Sequence, residues 1–318
     1  MTVTNVLHGR DKVTAETRVR VVTAIRELDY MPVRSASQNR HVETRAIGVV
    51  FDFLHSPSFG VDSTFHGLHQ GARQHNYDVL LLSRSNSADD ARSNDEMFLD
   101  RRTDGLIIVN PRYRQRLLKT LVRQQVPTVL CYSSFGPAGV GCVLIDNREA
   151  MRLAVEHLVE RGHTKIAHLA GPGWNIETRL RREGYRRAMR HRSLDSRIFE
   201  IGFEGRGEAE AVDRLLQSDA TAVVCWNDTM ALNVWRQAQS MGRHVPEDLA
   251  IIGVDDGPAA AEGGLTSIPN PYVDIGRHAV DRLLRLMKGE SLDDCRELLL
   301  VHLVARASTT PSMQGSTA

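Results

Sequence analysis

The sequence predicts an α/β protein with two doubly wound parallel-sheet subdomains, preceded by a partial all-α head. Two observations predict this fold. From Ala46 onward, short apolar runs alternate with amphipathic helical stretches, which is the pattern of repeated strand–helix units with right-handed crossovers. Before Ala46 the pattern differs, because residues 14–28 repeat their apolar side chains at helical spacing.

Nine segments are predicted to be strands, and most are continuous apolar runs, as expected for parallel strands covered on both faces. The strand candidates are Ile47–Phe51, Val79–Ser83, Leu106–Asn110, Thr128–Tyr132, Cys142–Asp146, Lys165–Ala170, Arg197–Phe203, Ala222–Trp226 and Ala250–Asp255. The helix candidates include Arg148–Arg161, Thr178–Arg192, Glu208–Gln217 and Thr229–Met241. Nine strands suggest two sheets, with ligands bound at the carboxyl ends of strands or in the cleft between the sheets.

The N-terminal segment predicts two short helices. Thr14 to Leu28 forms one of them, with Thr14 as its N-cap, and Pro32 prevents its continuation. Ahead of it, Thr2 to His8 forms a shorter helix that Gly9 closes. The polar, basic stretch 33–45 that follows is too polar for a core and suits a loop or a helix that forms only on binding.

Charge is placed unevenly along the 318 residues. The chain holds 40 Lys and Arg against 39 Asp and Glu, with 42% apolar residues, an ordinary globular composition. Residues 1–45 alone hold eight basic and five acidic residues. A basic arm suits a polyanionic partner, and a solvated helix face has the same composition. No apolar run approaches the roughly 18 residues of a membrane span, and the N-terminal sequence MTVTNVLHGRDKV has no apolar h-region, so nothing suggests secretion.

Motifs for catalysis, nucleotides or metals have no support in the sequence. Gly171-x-Gly173 follows a strand, but Ile176 breaks the dinucleotide fingerprint, and there is no P-loop, HExxH or GxSxG motif. The cysteines Cys131, Cys142, Cys225 and Cys295 fit no CxxC spacing and are predicted to be buried thiols in a reducing cytosol. We therefore expect no enzyme, no cofactor and no metal site.

Polar side chains at strand ends predict a ligand cleft. Arg181 lies about one turn into a helix that starts at a strand's carboxyl end, where its guanidinium can bind hydroxyls, carboxylates or phosphates. Asn227 and Asp255 lie at the tips of two further strands and are expected in the cleft. Asp228 and Asp256 are expected to cap the segments that follow them.

Two further groups of residues leave alternatives open. Asp146-Asn147 closes another strand, where an N-cap role and a ligand contact are equally plausible. Several aromatic side chains could face a sugar ring, although each alone is more often a core residue. They are Trp174, Phe203, Tyr132 and Tyr272.

Ordered motifs then identify a resemblance that spans nearly the whole chain. TVTNVLHG and VTAETRVRVVTAIRELDYMP are followed by IGVV, DGLII, VEHLVERGHTKIAHLAGP, RLRREGY, WNDTMALNVW, IIGVDD and HLVARAST. The chain resembles the LacI/GalR family of transcription regulators. The resemblance implies a helix-turn-helix head, a hinge helix and a core of two subdomains like those of type I periplasmic sugar-binding proteins. It also implies a cytoplasmic homodimer on a pseudo-palindromic double-stranded DNA operator, controlled by a small effector, most simply a carbohydrate.

The resemblance also assigns residues to DNA contacts. The segment from Thr2 to His8 corresponds to the recognition helix, and Asn5 falls where the family reads a base. The other implied DNA contacts are Thr2, Thr4, Lys12, Thr14, Thr17, Tyr30, Arg34 and Asn39.

In the core, the resemblance matches Arg181, Asn227 and Asp255 to effector-binding positions. Four more residues match the pocket lining: Tyr132, Phe203, Asn270 and Tyr272. The implied domains are a head at 1–32, a hinge at 33–44, an effector-binding core at 45–310 and a tail at 311–318. Within the core, one subdomain is 45–146 with 271–301 and the other is 147–269 with 303–310.

Two positions depart from the family pattern. The family has a further helix before the recognition helix, so we expect translation to start upstream of Met1, since the chain as written would bind DNA poorly. The hinge helix of the family commonly inserts a Leu between base pairs, and Asn39 stands at that position, which puts minor-groove kinking in doubt. The rival hypotheses are a solute-binding or sensor protein that has lost its head and, more remotely, an α/β enzyme.

Overall fold

The computed structural model describes residues 13–27, 43–51, 59–82, 98, 102–111, 115–202, 207–290 and 296–310. The chain divides into two units, 1–43 and 44–318. In the first unit the described element is helix α1, Ala15–Glu27. The backbone N–H of Thr17 donates to Thr14 Oγ1 at 3.4 Å, which confirms Thr14 as the N-cap. The predicted helix from Thr2 to His8 and residues 33–42 of the predicted hinge lie outside the described residues.

The second unit contains two parallel sheets. Sheet A has the strand order β11-β5-β4-β3-β1-β2 and sheet B the order β10-β9-β8-β6-β7. The strands are β1 Ala46–Phe51, β2 Asp78–Leu82, β3 Gly105–Val109, β4 Thr128–Cys131, β5 Val140–Ile145, β6 Ile166–Ala170, β7 Arg197–Glu200, β8 Ala222–Cys225, β9 Ala250–Asp255, β10 Thr266–Pro269 and β11 Arg296–Leu299. The predicted α/β fold with two doubly wound sheets is confirmed.

Helices cover the sheets. They are α2 Phe59–Gln74, α3 Gln115–Arg123, α4 Asn147–Glu160, α5 Ile176–His191, α6 Glu208–Leu216, α7 Asp228–Ser240, α8 Pro258–Glu262 and α9 Tyr272–Met287. The central strands β3 to β6 and β8 are buried at every position, because apolar clusters pack against both faces of each sheet. Among the described helices, none has the length and hydropathy to cross a membrane.

All nine predicted strands are present; Ala250–Asp255 has the predicted bounds, and the other eight differ at one or both ends. Two strands were not predicted, β10 and β11. The β11 sequence RELL has an exposed–intermediate alternation at a sheet edge, and β10 is rich in Thr, Ser and Pro, so neither reads as a buried apolar run. Strand β10 pairs in parallel with β9, the strand before it in the chain, whereas β11 pairs in parallel with β5, which is distant in sequence.

The chain passes between the two sheets three times. It leaves sheet A after β5, returns after β10 to form α9 and β11, and crosses back so that Val304 bridges Ser267 of β10. These crossings lie beside Asp146, Asn270 and His302. They place both sheets' strand ends beside one cleft. The exact subdomain boundaries stay a prediction.

Helices α2 and α9 pack closely enough that two glycines are required between them. A Cβ on Gly67 would overlap the carbonyl oxygen of Val273, and a Cβ on Gly276 would lie 2.5 Å from the carbonyl oxygen of Thr64. This approach fixes the start of α9, where Tyr272 is the first residue, against sheet A.

Candidate functional site

Arg181 is the centre of a buried polar cluster at the strand ends of sheet B. Its side chain is 2% exposed. The guanidinium donates through Nε to Asn147 Oδ1 at 2.7 Å and through Nη1 to the carbonyl oxygen of Trp226, and Nη2 lies 3.5 Å from Glu177 Oε1. Each guanidinium nitrogen therefore faces a protein acceptor.

Two helix caps position this cluster. Asn175 follows β6 and accepts from the backbone N–H of Glu177 at 2.7 Å, which starts α5. Glu177 then lies in the first turn and Arg181 one turn later, on the same buried face of the helix. Asp146 caps α4 by accepting from Arg148 and Glu149 at 3.0 Å each, which makes Asn147 the first helical residue. Of the two roles left open for Asp146, the structure shows the N-cap.

Asp255 ends β9 beside this cluster. The side chains of Tyr272 and Asn270, which can donate hydrogen bonds, lie beside its carboxyl group. Burial raises the pKa of the Asp255 carboxyl, while Arg181 and these two donors oppose the rise. Burial also raises the pKa of Glu177, and the negative charge of Asp255 adds to that effect. The cluster thus holds two buried carboxyl groups and one guanidinium.

The sheet A side contributes aromatic hydroxyls. Tyr132 follows β4 and its hydroxyl lies 2.5 Å from Thr64 Oγ1. The rings of Tyr132 and Tyr272 are 5.8 Å apart at an interplanar angle of 60°. Burial raises the pKa of both phenols well above the ordinary value, so both hydroxyls stay protonated and can donate. The site is therefore built from both sheets.

Backbone strain is concentrated at these strand ends. Asn110, Tyr132 and Asp255 directly follow or end β3, β4 and β9, and their φ values are 50°, 63° and 119°. Left-handed φ values cost energy in residues that have a Cβ, and they collect at ligand-binding sites. The side chains of Asn110 and Asn175 meet across the cleft, Nδ2 of Asn175 to Oδ1 of Asn110, at 3.5 Å.

Several buried polar atoms of the cluster have no hydrogen-bond partner among the described residues. They are Glu177 Oε1, Asn270 Oδ1 and Trp226 Nε1. Such atoms are rare in folded proteins because each costs the free energy of its lost hydration. Their concentration around one guanidinium is the arrangement expected of a site that a polar ligand completes.

The structure brings together five of the seven predicted effector residues: Arg181, Asp255, Tyr132, Asn270 and Tyr272. Asn227 is near but serves as the N-cap of α7, its Oδ1 accepting from the backbone N–H of Met230 at 2.9 Å. The cap uses the side-chain oxygen of Asn227 and leaves its amide nitrogen available. A ligand contact by Asn227 stays a prediction. Phe203 lies outside the described residues. Trp174 is half-buried in the turn before α5.

The expected caps at Asp228 and Asp256 are wrong. Asn227 caps α7 instead, and the Asp228 carboxylate accepts from Ser267 Oγ at 2.6 Å and from the N–H of Gly257 at 2.9 Å. Asp256 forms an ion pair with Arg306 at 2.5 Å, and Gly257 precedes α8 without a side-chain cap. Both carboxylates join segments that are remote in sequence, which local patterns do not reveal.

The residues that sequence reasoning did not assign to the site are Asn147, Glu177 and Thr64. For Glu177 a signal existed, because it precedes Arg181 by four residues and so shares its helix face. For Asn147 the signal was its position directly after a strand. Thr64 lies mid-helix in α2, and nothing local indicates its contact with Tyr132.

Of the nine residues predicted to contact DNA, two lie in the described part of the chain. The hydroxyls of Thr14 and Thr17 are 2.9 Å apart at the exposed N-terminus of α1. The others lie outside the described residues: Thr2, Thr4, Asn5, Lys12, Tyr30, Arg34 and Asn39. Their roles stay predictions.

Within the described residues no three His, Cys, Asp or Glu side chains are grouped so that they could hold a metal ion. Cys131, Cys142 and Cys225 are buried free thiols. Burial raises the pKa of the Cys131 and Cys225 thiols, so neither is a reactive thiolate. Cys295 lies outside the described residues.

Two family models match the chain. Residues 1–33 match the model of bacterial regulatory proteins of the lacI family, and residues 155–309 match a periplasmic binding protein-like domain. The second range contains Arg181, Asp255 and Asn270 of the cluster.

Relatives with assigned functions align along most of the chain. The HTH-type transcriptional repressor PurR of Aliivibrio salmonicida is 31% identical over 297 residues, which is 90% of this chain and 88% of PurR. The HTH-type transcriptional repressor CytR of Escherichia coli is 31% identical over 318 residues, which is 97% of this chain and 92% of CytR.

Solved structures show the same architecture. The lac repressor dimer bound to operator and the anti-inducer ONPF superposes with a TM-score of 0.79 at 28% identity, covering 97% of this chain and 94% of that one. The transcriptional regulator CelR in complex with cellobiose superposes with a TM-score of 0.74 at 27% identity, covering 96% and 94%.

Proposed function

Since the chain belongs to the LacI family of bacterial regulatory proteins, we propose that it is a DNA-binding transcriptional repressor controlled by a small effector bound around Arg181. The effector is a sugar or sugar derivative. The observation that carries the effector role is the buried cluster itself, in which Glu177 Oε1 and Asn270 Oδ1 have no partner within the described part of the protein.

The DNA role rests on the N-terminal match and on charge. The family model covers residues 1–33, and the segment 1–45 carries an excess of basic residues. The exposed N-terminus of α1 presents the hydroxyls of Thr14 and Thr17, and the positive end of a helix dipole favours a phosphate. The recognition residues proposed at the major groove are Thr2, Thr4 and Asn5. Further contacts are proposed at Lys12, Tyr30, Arg34 and Asn39.

Control by the effector follows from a site shared between the sheets. Tyr272 begins α9 on sheet A, and its side chain lies beside the carboxyl of Asp255, the last residue of β9 in sheet B. A ligand bound to both sides favours one relative position of the two sheets. Because a ligand shifts an equilibrium only by its differential affinity for two states, the effector acts by stabilising the arrangement with altered DNA affinity.

The proposed division of the chain is a head at 1–32, a hinge at 33–44, an effector-binding core at 45–310 and a tail at 311–318. The core has the subdomains 45–146 with 271–301 and 147–269 with 303–310. The active species is a cytoplasmic homodimer on a pseudo-palindromic operator, since two heads then read two half-sites. The protein acts without catalysis.

Selection from random double-stranded DNA, run with the full chain and with a version that carries a complete helix-turn-helix head, tests this function. We expect enrichment of a pseudo-palindrome whose half-sites lie about 10 base pairs apart or a multiple of that. The affinity for it should fall steeply with salt, because phosphate contacts release counterions. The matched control is Asn5→Ala, which should lose sequence preference and keep the salt dependence.

Failure to enrich any sequence, or binding that salt does not change, would contradict the DNA role. Ligand binding by the same preparation would then favour the alternative, a solute-binding or sensor protein with this core.

A further inference from the structure

We infer that the cleft selects a neutral ligand rich in hydroxyl or N–H donors and rejects its phosphate and carboxylate analogues, and that Glu177 makes this selection. The inference rests on the proposed function, because it names the chemistry of the effector that the cleft takes. It assigns a specificity role to a side chain that sequence reasoning did not place in the site.

The first argument is the balance of donors and acceptors. Glu177 Oε1 and Asn270 Oδ1 are buried and have no hydrogen-bond partner within the described residues. An ionised carboxylate and an amide oxygen only accept. Trp226 Nε1, which can only donate, is likewise without a partner among the described residues. A ligand that completes the cleft must therefore bring at least two donors and one acceptor, as the hydroxyl groups of a polyol, a sugar or a nucleoside do.

The second argument is that the cation of the cluster is already committed. Arg181 faces Asn147 Oδ1 through Nε, the Trp226 carbonyl through Nη1 and Glu177 through Nη2. Arg181 is the cation that lowers the pKa of both Asp255 and Glu177, so two carboxyl groups share this one guanidinium. Among the described residues of the cluster, an anionic ligand would therefore meet a fixed charge that is negative, or at most neutral if one carboxyl is protonated.

The third argument is that Glu177 is not explained as a structural ion pair. Its Oε1 lies 3.5 Å from Arg181 Nη2, which is too long and too poorly aligned for a hydrogen bond. Residues that pair only to stabilise a buried charge satisfy their oxygens fully, because a half-satisfied buried carboxylate costs free energy. Glu177 is 7% exposed, and leaving one of its oxygens without a hydrogen bond costs free energy of hydration. A ligand hydroxyl that donates to this oxygen would remove that cost.

The contrast with Glu183 supports this reading. Glu183 is on the same helix, 43% exposed, and accepts from Arg148 Nη2 at 2.6 Å. It also lies 3.8 Å from Arg179. Glu183 therefore has the contacts of a surface ion pair, which Glu177 lacks, and Glu183→Gln provides a control with the same chemical change on the same helix.

The test uses matched ligand pairs on the full chain. Pentoses, hexoses, disaccharides and ribonucleosides are each compared with their own phosphate or uronate by thermal shift, and every hit is measured by calorimetry. We expect at least one neutral compound to bind, and its anionic counterpart to bind at least about 100-fold more weakly, given like charges a few ångströms apart. Glu177→Gln should reduce this ratio about tenfold or more, since it removes one negative charge, while Glu183→Gln leaves the ratio unchanged.

Three results would overturn the inference: binding by anionic compounds alone, no binding by any neutral compound, or an unchanged ratio in folded Glu177→Gln. Operator binding is measured on the same samples to separate this outcome from the proposed function. Intact operator binding with an anionic effector refutes the inference alone. If the protein binds neutral compounds selectively but binds no operator, the proposed function alone is refuted.

Discussion

Arg181 and Glu177 lie one helical turn apart at the start of α5, both buried, with Nη2 of the arginine 3.5 Å from Oε1 of the glutamate. The distance leaves the glutamate oxygen unbonded, while the other two arginine nitrogens hold Asn147 and the carbonyl of Trp226. The pair therefore combines a fixed guanidinium with an open acceptor, and the account of ligand binding depends on that combination.

Arg181→Ala should destabilise the protein by about 3 kcal/mol, because it leaves Glu177 and Asp255 buried without their cation. It should also abolish effector binding. Urea unfolding monitored by circular dichroism measures the first effect. The control is Arg187→Ala, an exposed position on the same helix, which should change stability by less than about 0.5 kcal/mol. Equal effects of the two variants would contradict the buried network.

Tyr272→Phe should weaken effector binding more than it weakens the fold. The lost hydroxyl is a buried donor beside the Asp255 carboxyl, at the position where a ligand would bind. The comparison is Tyr185→Phe, whose hydroxyl donates to the carbonyl of Ile166 at 2.8 Å inside sheet B. Tyr185→Phe should lower the free energy of unfolding and leave the ligand affinity unchanged. Calorimetry and urea unfolding on both variants separate the two effects.

Gly67→Ala should destabilise the protein by 1–3 kcal/mol or more, because its methyl group would overlap the carbonyl oxygen of Val273 and force α2 and α9 apart. Gly71→Ala, one turn along the same helix, would place its methyl 3.1 Å from Val280 Cβ and should cost less. Thermal unfolding of both variants ranks them. The reverse order would show that the two helices can separate freely.

Acid should destabilise the protein in part through His168. Its Nδ1 bonds to the carbonyl of Val224 at 2.8 Å, and burial with the nearby charges of Arg181, Arg182 and Arg186 lowers the pKa of His168 to about 4. The unfolded chain takes up this proton near pH 6.5. Stability is therefore lost as the pH falls from about 7 to 4, by roughly 3 kcal/mol in total.

His168→Asn keeps a donor for the Val224 carbonyl and removes the titration. Its free energy of unfolding should fall less between pH 7 and pH 5 than that of the wild-type protein. The carboxyl of Asp228, with a pKa raised to about 7, gives the opposite slope in both proteins and cancels in the comparison. Identical slopes in the two proteins would contradict the burial of a neutral His168.

The repeating part of the fold was predictable from local pattern. Continuous apolar runs such as those of β3 and β9 predict buried strands without any knowledge of which strands they pair with. The local sequence is therefore enough to identify them. Strand β11 was not predictable, because its polar sequence RELL pairs with β5 only after a return of the chain through α9. Pairing between distant segments leaves no local trace.

The site was predictable where a strand end carries a polar residue, as at Asp255 and in the helix of Arg181. The residues that complete the site were harder to predict, because Asn147 and Thr64 lie on other elements and contact the cluster from there. The errors at Asp228 and Asp256 have the same origin. Each was expected to serve its own helix, and each instead binds a segment far along the chain.

The most direct test of the account is the affinity of the full chain for its selected operator, measured by fluorescence anisotropy with and without a saturating neutral effector. The account predicts that the effector changes the dissociation constant by about 5-fold or more, and that Arg181→Ala removes this change while still binding the operator. An effector that binds the wild-type protein and leaves operator affinity unchanged would contradict the coupling between cleft and head.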